Sequence, residues 1–152
     1  MSTITPTLTL TSNASSASTS PGPMSIALSL SATDSLPVTE VASKIIDVSA
    51  THALVWDASD YTSSGETGVD GAWLYFKNLL AENSTPDLLH DIVIGIENES
   101  LLGAGEADRL FTLQPGEFAF FPWDCTQDIY VDGAESNSSA LECWIFVRTG
   151  TA

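Results

Sequence analysis

The residue pattern of this chain repeats every two positions and nowhere sustains a repeat of three to four. The segment from Ala72 to Leu79 is the clearest case. Trp73, Tyr75 and Lys77 fall on one side of an extended chain, and Leu74 and Phe76 on the other. That is the period of a β-strand whose two faces meet different surroundings. Similar short runs occur at Ile26–Ser31, Lys44–Val48, Ala53–Trp56, Ile92–Ile96, Arg109–Leu113, Phe118–Phe121, Asp128–Val131 and Leu141–Arg148. Polar or glycine-bearing stretches separate them. Leu36-Pro37-Val38, Gly103–Ala107 and Pro115-Gly116 read as turns, and 57–71 and 82–91 as loops. Gly116 after Pro115 suits the positive φ of a type II turn, and Pro122 reads as a strand end. Strands at short, regular spacing predict an all-β fold: an antiparallel β-sandwich, jelly-roll-like.

The first residues differ in kind. Twelve of the first twenty are Ser or Thr, and Pro21-Gly22-Pro23 closes the stretch. Thr3 to Thr11 alternate strictly, with Ile4, Leu8 and Leu10 on one face. Pro6 bars that strand from the middle of a sheet. Ser12–Ser20 lack an apolar face and read as a flexible linker. The expectation is an extended arm over 1–23 that docks on a sheet edge, followed by a sandwich domain over 24–152.

Charge narrows the partners. Twenty acidic residues stand against four basic ones in 152, a net charge of -16. Such a surface repels phosphate, which argues against nucleic acid and against an anionic membrane. No stretch approaches the ~20 apolar residues of a membrane span. The N-terminus lacks the basic and apolar regions of a secretion signal.

Reactive groups are sparse. Transition-metal sites in jelly rolls need clustered imidazoles, whereas His52 and His90 stand alone. Asp57, Asp60, Glu66 and Asp70 in one loop, and Glu97, Glu99, Glu106 and Asp108 around another, offer oxygen ligands without the spacing of an EF-hand. No Gly-x-Ser-x-Gly elbow is present. A hairpin of 126–132 with 140–147 would set Cys143 opposite Ile129, so no disulfide to Cys125 is expected. Trp73 and Tyr75 share a face, and Trp123 follows Pro122. Such aromatics either pack in a core or present a contact surface. The pattern predicts neither enzyme activity nor a bound cofactor or metal. It predicts a contact surface that includes Ile4, Leu8, Leu10, Trp73, Tyr75 and Trp123.

Two stretches carry a family likeness. Gly71-Ala72-Trp73-Leu74-Tyr75-Phe76-Lys77-Asn78 and Leu113-Gln114-Pro115-Gly116-Glu117, with Phe120-Phe121-Pro122-Trp123 after it, together resemble small virion structural proteins of tailed bacteriophages. The resemblance spans roughly residues 69 to 148. It implies a β-sandwich that decorates or cements a capsid, is made in the host cytoplasm and resides in the virion. The implied partners are the major capsid protein or other virion proteins, and further copies of the chain in a homo-oligomer. A carbohydrate-binding or host-recognition module of a tail or head fibre is the alternative.

Overall fold

The structure, a computed structural model, describes residues 2–4, 7–10, 28–31, 36–49, 52–61, 71–80, 90–96, 108–133 and 139–148. Among the described residues, eleven strands follow one another: β1 (Ser2–Ile4), β2 (Thr7–Leu10), β3 (Leu28–Ser31), β4 (Leu36–Val48), β5 (Ala53–Trp56), β6 (Ala72–Asn78), β7 (Ile92–Gly95), β8 (Arg109–Leu113), β9 (Phe118–Trp123), β10 (Ile129–Gly133) and β11 (Ser139–Arg148). A 3-10 turn, Ala58–Asp60, follows β5. Asp57 caps it by accepting from Ser59 N–H.

Two compact units divide the chain, Met1–Val38 and Thr39–Ala152. In the first, the strictly alternating segment is two strands rather than one, and they flank Thr5–Pro6. β1 pairs antiparallel with the first residues of β4, Ile4 opposite Leu36. β2 pairs antiparallel with β3, Leu8 opposite Leu30 and Leu10 opposite Leu28. Proline lacks the N–H that a continuous ladder requires, which favours the division there. Thus β3, expected in the sandwich, belongs with the arm. The Ser12–Ser20 linker lies outside the described residues. Leu36-Pro37-Val38 is not a turn but the start of β4, because proline is tolerated in the first residues of a strand.

The second unit is a jelly roll. Its sheets run β4-β11-β6-β9 and β5-β10-β7-β8. The first strand of the eight neighbours the last, the second neighbours the second-to-last, and so on inward to the β7–β8 pair. Such nested pairing is one long hairpin rolled over on itself. It also corrects the expected β10–β11 hairpin: β10 pairs with β5 and β7, and β11 with β6, in different sheets. Period two specifies a strand but not its partner.

Both sheets feed one core. Leu74, Phe76, Leu141, Cys143 and Ile145 from one meet Val55, Ile92, Ile94, Ile129 and Val131 from the other. Each large side chain buried there contributes about 1.5–3 kcal/mol. Asn78 pins one end. Its Nδ2 donates to His90 O at 2.9 Å and Leu113 O at 3.2 Å, and its Oδ1 accepts from Leu80 N–H at 3.2 Å. Its backbone N–H donates to Glu117 O, and its carbonyl accepts from Gly116 N–H. Gly116 has φ +82° in the turn closed by Glu117 N–H donating to Gln114 O, the type II geometry expected. The two sequence stretches behind the family likeness therefore meet and bond here.

Candidate functional site

The middle strands of the two sheets differ in their surroundings. β7 and β10 are buried on both faces. β6 and most of β11 alternate between buried and half-buried residues. The outward face of the β4-β11-β6-β9 sheet is thus accessible, and its composition is unusual for such a face.

Register sets the outward side chains in rows. Trp144, Tyr75 and Phe120 lie in one row across β11, β6 and β9. Phe146, Trp73 and Pro122 form the next, and Glu142, Lys77 and Phe118 the third. β4 adds Val41 and Ile45, 45% and 66% exposed, while Phe118 is 55% exposed. The first two rows make an apolar surface across β11, β6 and β9, bordered by Glu142 and Lys77 in the third, of a kind that marks contact sites on soluble proteins.

The rings are packed against one another. Trp73 and Phe120 stack at 5.3 Å between centroids with planes 6° apart, and Trp144 and Phe146 at 6.2 Å with planes 10° apart. Tyr75 stacks on Phe118 at 6.1 Å. The Arg148 guanidinium lies over Trp73, 4.6 Å from its centroid. Trp144 Nε1 donates to Glu142 Oε1 at 2.9 Å. Ring faces are largely spent within the sheet, which leaves a firm, ridged surface.

No protein-family model and no curated protein matches the chain. One solved structure is similar, described as "Bacillus endospore appendages form a novel family of disulfide-linked pili". The match has a TM-score of 0.42 and 11% identity, and covers 82% of this chain and 100% of that one.

Trp73 and Tyr75 therefore sit on the accessible face, joined by four aromatics that the sequence pattern had not grouped with them. Trp123 is corrected. β9 continues through Pro122, so parity turns Trp123 inward with Ala119 and Phe121, and it is only 6% exposed. Its Nε1 donates to Gln127 O at 2.9 Å. The edge position of β9 tolerates Pro122 without an N–H. Ile4 lies in β1 and Leu8 and Leu10 in β2, but their side chains are outside the described residues.

A second feature occupies the end of the sandwich where β6 begins and β9 and β11 finish. A cavity of about 490 Å³ opens there, lined by Ile96, Leu110, Phe121, Trp123, Ile129 and Arg148 among others. The loop after β9 is tightly built: the Asp124 carboxylate accepts from Thr126 N–H and Oγ1, which holds its pKa below the usual value. Cys125, next to it, adopts φ +58°, a left-handed conformation costly for a side-chain-bearing residue.

Other candidates resolve plainly. Among the described residues, no group of three or more His, Cys, Asp or Glu could hold a metal ion. Of the proposed calcium ligands, Glu66, Asp70, Glu97, Glu99 and Glu106 lie outside them. Asp57 instead caps the 3-10 turn. His52 stacks on Tyr130, centroids 4.6 Å apart. Both cysteines are buried free thiols. Burial pushes Cys125 up to about 11, with Asp124 adding and Arg148 opposing. Burial likewise pushes Cys143 up to about 12. Lys44 points into the sandwich, donates to Val55 O and lies 4.3 Å from the Trp56 ring centroid. Among the described residues, no helix is long and apolar enough to cross a membrane.

Proposed function

We propose that this chain is a structural subunit of a virion, a decoration protein that coats a bacteriophage head through the outer face of its β4-β11-β6-β9 sheet. The supporting observation is the accessible aromatic surface of Trp73, Tyr75, Phe118, Phe120, Trp144 and Phe146. Aromatic residues are enriched in the cores of protein interfaces, where rigid rings lose little entropy on contact. The work of this surface is contact rather than turnover. Its partner is an apolar region of the shell protein. An exchange of the β1 pairing between copies would give the arm its role in a homo-oligomer.

The competing reading is a carbohydrate-binding module. Sugars stack on ring faces presented to solvent. Here Trp73 is stacked by Phe120 and covered by Arg148, which favours a protein partner.

The decisive experiment assays purified particles for this polypeptide and counts its copies. Stoichiometric presence is expected, and Trp73→Ser with Phe120→Ser should reduce occupancy while the circular dichroism spectrum is retained. Absence from particles, or a glycan array signal lost in Trp73→Ala, would replace this reading with the other.

A further inference from the structure

We propose that the cavity at the end of the sandwich binds a small carboxylate with an apolar or aromatic body, and that Arg148 receives its charged group. The cavity volume, about 490 Å³, lies within the range of small-molecule sites. Its walls come from the ends of both sheets: Phe121, Trp123 and Ile129, with Ile96 and the exposed Leu110, supply apolar surface. A wall of this kind suits a hydrocarbon or a ring and gives it no polar anchor of its own.

Arg148 provides that anchor. Its Nε is buried and has no hydrogen-bond acceptor. Arg148 as a whole is half-buried and lines the cavity, so an incoming anion meets the guanidinium there and gains a charge-assisted pair. Stacking over Trp73 fixes the guanidinium plane in advance, which suits the forked geometry of a carboxylate. The other charged group in the lining, Asp124, already accepts from Thr126 N–H and Oγ1. Arg148 is therefore the lining group that seeks a negative partner, in a chain with four basic residues in all.

The backbone beside the cavity is strained at Cys125, next to the lining residue Asp124, where φ is +58°. Gly71 allows close approach: a Cβ there would lie 2.5 Å from Trp123 O. Conformations of this kind cluster at ligand sites because they fix wall geometry before the ligand arrives. The cavity shares Arg148 with the aromatic face but does not depend on what that face contacts.

The test uses the full chain with 3-phenylpropionate and its neutral analogue 3-phenylpropionamide, followed by the Trp123 indole N–H signal in NMR. The acid should shift that signal saturably and bind about tenfold or more tightly than the amide, the worth of one charge-assisted hydrogen bond. Arg148→Gln should abolish the preference and leave weak amide binding unchanged. Equal affinity for acid and amide, no saturable shift with either, or a preference retained in Arg148→Gln would each overturn the proposal. The wild-type comparison alone decides it should Arg148→Gln fail to fold.

Discussion

Trp73 and Phe120 are diagonal neighbours on adjacent strands, and their rings lie 5.3 Å apart and 6° from parallel. Neither side chain belongs to the core between the sheets. The contact is made on the accessible face, so it organises that surface more than it holds the fold.

A double-mutant cycle measures the contact. Trp73→Ala and Phe120→Ala should couple by about 1 kcal/mol in urea denaturation, the usual worth of an aromatic pair beyond its area. Zero coupling would mean that the rings are independent and that the surface is less ordered than described.

Asn78 tests a different link, between a buried amide and the joining of β6 to the turn after β8. Asn78→Ala removes bonds to His90 O, Leu113 O and Leu80 N–H together. It should cost about 3 kcal/mol, since buried polar groups are left unpaired. Lys77→Ala, one residue earlier and half-buried on the outer face, should stay within about 0.5 kcal/mol. Similar losses for both would sink the claim that Asn78 is a hub.

How far the sequence foretold this arrangement depends on the range of the interaction. Alternation in Ala72–Leu79 placed Trp73 and Tyr75 on one face and Leu74 and Phe76 on the other, and the fold keeps that division. Pro115-Gly116 announced its turn because the φ requirement is local. The β10–β11 hairpin failed because adjacency in sequence is overridden by nested pairing in a jelly roll. Trp123 failed because Pro122 was read as a strand end, and one residue of continued strand reverses the face. The aromatic rows stayed hidden for a related reason: Phe118, Phe120, Trp144 and Phe146 join Trp73 only through the registers of three strands. The cavity was invisible because its walls come from the ends of strands far apart in sequence.

Alkaline conditions should destabilise the fold. Both thiols have folded-state pKa values raised above the ordinary value of 9.0, to about 11 for Cys125 and about 12 for Cys143. The folded state therefore retains protons that the unfolded chain releases. The stabilisation is complete below pH 9.0 and is lost as pH rises toward 11 and 12. Tyr61, Tyr75 and Tyr130 are raised too, mainly by burial, and act in the same direction. Lys44, lowered by burial, acts in the opposite one. The urea midpoint should fall steadily above pH 9, and Cys143→Ala should flatten that fall. A midpoint independent of pH in this window would contradict the buried thiols.

Gly71 gives the sharpest test of the end of the sandwich, because two separate constraints coincide there. Its φ of +69° is a conformation that side-chain-bearing residues rarely adopt, and an added Cβ would sit 2.5 Å from Trp123 O. Trp123 cannot easily withdraw, since it lies opposite Ala72 in the β6–β9 ladder and its indole is tied to Gln127 O. Gly71→Ala should thus cost about 2–4 kcal/mol, strain and collision together. Gly116→Ala, with φ +82° in an exposed turn, should cost about 1 kcal/mol from the dihedral angle alone. Gly133 separates the two causes: its Cβ would meet Ser49 O at 2.8 Å without the positive φ. The expected order of destabilisation is Gly71→Ala first, with Gly133→Ala and Gly116→Ala below it. Denaturant midpoints that placed Gly71→Ala level with Gly116→Ala would show that Trp123 yields, and that the cavity wall is softer than its geometry requires.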